Sequence, residues 1–136
     1  MRKKLNNKNK DFSKKLSGQM GESLVVAELG RRKIIATAFA GNVPDIDLLA
    51  YKNGKSIPLQ VKALKSGSLR NKANKYLEIE FKGKQQVIKG KNKNINRKLT
   101  FVIVKIGKSL GEDIFYICDQ GKIQDIVYKS YKYYLY

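Results

Sequence analysis

Residues 45–62 read Asp45-Ile-Asp-Leu-Leu-Ala-Tyr-Lys-Asn-Gly-Lys-Ser-Ile-Pro-Leu-Gln-Val-Lys62, the pattern of two strands joined by a tight turn. Asn53-Gly54 is the dipeptide best suited to a two-residue type I′ turn, which needs positive φ at both positions. With these two as the loop, Lys52 faces Lys55, Asp47 falls opposite Gln60 and Asp45 opposite Lys62. Side chains alternate with period two along a strand, so Asp45, Asp47, Gln60 and Lys62 share one face. Ile46, Leu48 and Ala50 meet Ile57, Leu59, Val61 and Ala63 on the other, which is expected to be core. The polar face gathers two carboxylates, an amide and an ammonium, the groups that metal and phosphate chemistry requires.

Upstream, residues 17–32 have a helical pattern, with Met20, Leu24, Val25, Ala27 and Leu29 at three- and four-residue spacings, Ser17 as N-cap and Gly30 near the end. Glu22 then lies in the first turn, where the helix dipole favours a carboxylate. Ile34 to Ala40 forms a short strand candidate, closed by Gly41-Asn42 and turned at Pro44. Downstream, residues 64–75 read as a basic loop and Tyr76 to Phe81 as an alternating strand. Residues 84–98 are basic, with a helical turn expected around Gln85 to Ile88. Leu99 to Ile106 is β-branched and reads as a central strand, followed by Ile114 to Cys118 as another. Asp119 caps a final helix, whose Ile123, Ile126, Val127, Tyr131 and Tyr134 form a stripe expected to pack on a sheet. That spacing favours core and rim packing for Tyr131 to Tyr136 over a base-stacking platform.

The 136 residues suit one domain, expected over residues 17–136, behind a basic tail at 1–16 with too few apolar anchors to order itself. The chain carries 29 Lys+Arg against 11 Asp+Glu, a net charge of +18, which favours a polyanionic partner. The excess is concentrated: residues 1–16 hold 7 basic and 1 acidic residue, and residues 62–98 hold 12 and 2. The second segment grows out of the strand that bears the polar cluster, which points to nucleic acid. The candidate phosphate contacts are Lys65, Arg70, Lys72 and Lys75, with Arg31 and Arg32 at the end of the first helix. No histidine and one cysteine, Cys118, exclude Cys/His zinc sites and histidine-based triads. No apolar run approaches the ~20 residues of a membrane helix. A reducing, cytoplasmic setting is expected from the lone cysteine.

A helix with Glu22, a strand entered through Pro44-Asp45-Ile46-Asp47, a hairpin, and then Gln60-Val61-Lys62 resembles the PD-(D/E)xK, or restriction-endonuclease-like, nucleases. Gln60 stands where most members carry Asp or Glu; the Q-x-K form is similar to Mrr-like domains, and the loop before Asp47 to that of compact Holliday-junction resolvases. The resemblance implies an α/β fold with an αβββαβ core, a central mixed β-sheet flanked by helices. It implies Mg²⁺-dependent hydrolysis of DNA phosphodiester bonds, with Mn²⁺ as a substitute. Asp47, Glu22, Gln60 and the Val61 carbonyl would hold the metal, Lys62 would act on the reacting phosphate or water, and Asp45 would support Lys62. The partner implied is double-stranded or branched DNA, with a homodimer as the way to cut both strands. Two other readings stand beside it: a catalytically weak or inactive nucleic-acid-binding module on the same fold, and an unrelated basic RNA-associated protein.

Overall fold

The computed structural model describes residues 2–39, 43–64 and 73–136. In chain order the elements are α1 (Arg2–Arg31), β1 (Ile35–Ala38), β2 (Leu48–Lys52), β3 (Lys55–Leu64), α2 (Ala73–Tyr76), β4 (Leu77–Lys82), β5 (Gln85–Lys91), β6 (Thr100–Lys105), β7 (Ile114–Asp119) and α3 (Gln120–Leu135). Asn53 and Gly54 have φ of 52° and 77°, the left-handed pair that a type I′ turn requires. The ladder pairs Lys52 with Lys55 and Leu48 with Leu59, the register read from the dipeptide. β1 pairs antiparallel with β2, and β6 runs parallel to β3, setting Val61 beside Val102. The result is a mixed five-stranded sheet in the order β1-β2-β3-β6-β7 within a mixed α/β chain.

Two compact units divide the chain, one of Met1–Ser68 and Thr100–Ile117, the other of Leu69–Leu99 and Cys118–Tyr136. A single domain over 17–136 was the expectation from length. The division arises because the segment between β3 and β6 builds its own hairpin instead of a simple crossover.

In the first unit one buried cluster holds side chains that the alternation assigned inward, Leu48 and Ala50 from β2 and Leu59 and Val61 from β3, joined by Val102 and Val104 of β6 and Val25 of α1. Gln60, assigned to the polar face, and its β6 neighbour Phe101 are buried as well. Each fully buried aliphatic side chain stabilises by roughly 1.5–3 kcal/mol. Ile57 departs from this, being half exposed near the hairpin turn. Helix α1 lies very close to β3 at Gly21, where an added Cβ would come within 2.8 Å of Ala63 Cβ and 3.6 Å of Val61 Cγ1. Its last turn closes with Lys33 N–H on Gly30 O and Ile34 N–H on Leu29 O, at 3.0 and 2.9 Å, with Lys33 at φ 60°. This is a Schellman ending in which lysine takes the place usually held by glycine.

Three local expectations are corrected. Residues 2–16, read from composition as an unordered tail, continue α1: lysine is a fair helix former, and a nucleated helix adds residues at little cost. Ser17 is not an N-cap; its hydroxyl donates to Ser13 O one turn back, at 2.8 Å. Gln85 to Ile88 are not helical but open β5, paired antiparallel with β4 across Gly83 at φ 65°, where a glycine in the first loop position suits a hairpin turn.

The second unit closes around α3. Asp119 caps it as expected, accepting from Lys122 N–H at 2.7 Å. Gln124 is fully buried and donates to the carbonyls of Tyr76 and Asn92, both at 2.8 Å, while Arg97 donates to its amide oxygen. Asp125 binds Lys91 at 2.7 Å and Arg97 at 3.1 Å. Those partners, Lys91 foremost, hold its carboxyl below the ordinary range.

Candidate functional site

The approach to β2 is built by Val43-Pro44-Asp45-Ile46. Ile46 N–H reaches back to Val43 O at 3.4 Å and Asp45 adopts φ 65°. Proline at the second position and positive φ at the third define a type II turn. Asp45 is therefore exposed in the turn and is not part of the β2–β3 ladder, which ends at Leu48 and Leu59. The expected pairing of Asp45 opposite Lys62 gives way for this reason: Pro44 and the left-handed Asp45 turn the chain before extended pairing can reach them.

Asp47 is the first residue past the turn and is tied to β3 twice. Its N–H donates to Leu59 O at 2.9 Å, and its Oδ2 accepts Val61 N–H at 2.8 Å. The carboxylate is thereby held by a charge-assisted bond, with its second oxygen and remaining lone pairs open to other partners. Val61 enters this arrangement through its N–H, where the sequence reading assigned its carbonyl a role.

Glu22 comes from α1, one residue after the close approach at Gly21. It lines, with Asp47, Phe39, Pro44 and Ile46, a cavity of about 330 Å³. Burial, and secondly the neighbouring charge of Asp47, raise the Glu22 carboxyl above its ordinary value. This reverses the expected first-turn role. Glu22 lies deep inside a helix that begins at Arg2, so the helix terminus does not reach it, and its partner is a like charge. Phe39, Val43, Pro44 and Ile46 were not singled out from sequence as lining residues; a proline turn just before an acidic residue is the one signal that pointed there.

Gln60 and Lys62 lie on β3, and neither is among the residues that line this cavity. Alternation turns both away from Val61 and Ala63, the residues against which α1 packs. Gln60 is 8% exposed, and its Oε1 has no hydrogen-bond partner, an arrangement that costs about 1–3 kcal/mol unless a ligand completes it. Lys62 is half-buried beside Ile103 of β6. The structure thus joins Glu22 to Asp47 and ties Asp47 to the backbone on either side of Gln60, while the Gln60 and Lys62 side chains leave from the other face.

Among the described residues no three of Asp, Glu, His and Cys gather as a metal-holding group. The hard-oxygen donors that share the cavity are the two carboxylates of Glu22 and Asp47; the unpartnered Gln60 amide oxygen lies outside it.

Of the candidate phosphate contacts, Lys65, Arg70 and Lys72 lie outside the described residues. Arg31 and Arg32 are engaged by Glu28, at 3.9 and 3.4 Å, with both arginines largely exposed. They are nine and ten residues beyond Glu22, about 14 Å along the helix axis. Lys75 belongs to the second unit, where its ammonium lies 5.7 Å from the Tyr76 ring centre. No helix among the described residues is long and apolar enough to cross a membrane.

No protein-family model matches this chain, and no curated protein or solved structure matches it.

Proposed function

We propose that this chain is a Mg²⁺-dependent nuclease of the restriction-endonuclease-like kind, acting on DNA phosphodiester bonds. The observation that carries the reading is the Glu22–Asp47 pair. Two carboxylates 25 residues apart in sequence share one cavity, and burial together with mutual repulsion raises the acid of one of them. Like charges held together in this way are stabilised when a cation joins them. A mixed central sheet, with β1-β2-β3 antiparallel and β6 parallel to β3, is consistent with this reading at the level of a mixed α/β fold.

Glu22 and Asp47 would hold the ion, with water filling the rest of its shell, because the Gln60 amide lies outside the cavity they share. Bound there, the ion supplies Lewis-acid polarisation of a phosphate oxygen and a more acidic water. Asp47 keeps its carboxylate oriented through Val61 N–H. The resemblance gives Lys62 the part of offsetting negative charge developing on the phosphate; here its side chain leaves from the face away from the cavity, so Glu22 and Asp47 carry the reading. The basic residues after Lys62 neutralise flanking phosphates, which steepens the salt dependence of binding by roughly 0.9 per contact on duplex DNA.

Incubation of supercoiled, linear and branched DNA with the protein and Mg²⁺ or Mn²⁺ tests this. Metal-dependent cleavage that disappears in Asp47→Asn and Glu22→Gln, with DNA binding within a few-fold of wild type, is the expected result. No cleavage under any of these conditions overturns it. A second reading, a nucleic-acid-binding module on the same fold with little or no activity, is favoured by the neutral Gln60 and by its place outside the cavity. It expects a wild type that binds DNA and cleaves none of these substrates with either metal.

A further inference from the structure

The second unit carries a surface that the metal-site reading does not use. Its two segments, residues 69–99 and 118–136, hold 13 Lys+Arg and 4 Asp+Glu, a net charge of +9. Within it the β4–β5 hairpin and the last turns of α3 frame a cavity of about 530 Å³, lined by Phe81, Lys84, Gln86, Tyr131, Tyr134 and Tyr136 among others. This volume falls in the ~300–1,000 Å³ range of ligand-sized sites. The helical spacing favours core and rim packing for Tyr131 to Tyr136; Tyr131 is half-buried, while Tyr134 and Tyr136 are exposed, which corrects the expectation for them. Ile123 is buried, but Phe81, Tyr134 and Tyr136 are 68%, 79% and 73% exposed.

The cavity has a fixed wall. The Tyr131 hydroxyl donates to the Gln86 side-chain oxygen across to β5. Its ring centre lies 6.1 Å from that of Tyr134, with 31° between their planes. An anchored ring, two exposed tyrosines and a phenylalanine therefore surround a concavity that also holds the exposed Lys84. One turn away, Lys91 and Lys132 lie over the Tyr128 ring, at 5.4 and 5.8 Å. Exposed aromatic faces interleaved with ammonium groups fit a ligand that offers flat apolar faces and negative charge in alternation. Unpaired nucleotides have that chemistry: bases stack on rings, and phosphates meet lysines. In a duplex the base faces are already stacked on one another, so only the phosphates remain to be read. A second copy of this chain would bring like charge to a surface of net +9, which opposes self-docking.

We propose that the cavity between the β4–β5 hairpin and the end of α3 binds unpaired nucleotides of single-stranded nucleic acid. The site uses residues of the second unit alone and does not depend on Glu22, Asp47 or a metal. The test is fluorescence anisotropy of the full chain in EDTA, with labelled 12-nucleotide oligo-dT, the same length of oligo-rU, and a blunt duplex. The double substitution Tyr134→Ala/Tyr136→Ala should weaken binding to the preferred single strand by roughly tenfold or more and leave duplex affinity within about twofold. Tyr134→Phe keeps a π-face and should bind as wild type. Lys84→Ala should flatten the salt dependence on single strands by roughly 0.7. The chain has 8 Tyr and no Trp, so quenching of tyrosine emission by oligo-dT, reduced in the double variant, gives a second readout. Equal losses on duplex and single strand, or no loss in the double variant, would overturn the proposal. So would self-association in light scattering that the double substitution abolishes while single-strand affinity stays unchanged.

Discussion

Replacing Gly21 by alanine tests the placement of α1 on β3, and with it the position of Glu22. The added methyl would come within 2.8 Å of Ala63 Cβ, where carbon atoms rest at about 3.5–4.0 Å. Ala63 has no flexible end to move aside, so helix and strand must part by roughly 1 Å, and such overpacking costs about 1–3 kcal/mol. Against this, alanine is preferred to glycine inside a helix by roughly 0.5–1 kcal/mol. Gly18, three residues earlier in the same helix, separates the two effects, because a Cβ there meets nothing within 4 Å. Gly18→Ala should therefore gain about 0.5–1 kcal/mol, and Gly21→Ala should fall about 1–3 kcal/mol below it. Urea denaturation followed by far-ultraviolet circular dichroism reads both as midpoint shifts at constant slope. Equal gains at the two positions would show that α1 does not seat on β3 at this spacing, and the Glu22–Asp47 pairing would fall with it.

Further expectations concern single side chains. Glu22 has an ordinary value of 4.5 and a raised one in the fold, so the folded state holds that proton more tightly than the unfolded state. Its contribution therefore favours the fold at low pH and is lost as pH rises from 4.5 through the raised value. Glu22→Gln should remove this slope and be the more stable protein at neutral pH without metal, as read by thermal melts across pH; parallel wild-type and variant curves would refute it. Asp47→Ala should cost about 1–3 kcal/mol by stranding the part-buried Val61 N–H, whereas Asp47→Asn retains an acceptor and should cost less. Denaturant midpoints for the pair decide this, and equal losses would count against the bond. Gln124→Leu removes both donors to the carbonyls of Tyr76 and Asn92 and the acceptor for Arg97, for an expected loss of about 2–4 kcal/mol. Hydrogen exchange should show faster opening of the β4–β5 hairpin in that variant, and unchanged protection would refute the role given to Gln124.

What could be read from sequence was what a few neighbouring residues settle among themselves. Asn53-Gly54 determined the turn type and, through it, the pairing of Leu48 with Leu59, because positive φ at two positions admits few residues. Period-two alternation picked out Leu48, Ala50, Leu59 and Val61 as core, and Asp119 marked the start of α3. Pro44 hid an ambiguity that only the fold resolved: the type II turn takes Asp45 out of the ladder and leaves Asp47 as the carboxylate bound to β3. Burial depends on which distant segment covers a face, and here local pattern fell short. Gly21 carries no apolar signal, yet it is the point where α1 meets β3 and delivers Glu22 to Asp47. The stripe on α3 has helical spacing, but Ile123 near its start is buried while Tyr134, and Tyr136 just past its end, are exposed. Spacing assigns residues to a face. Whether that face becomes core or a binding surface is decided by how far the opposing element extends.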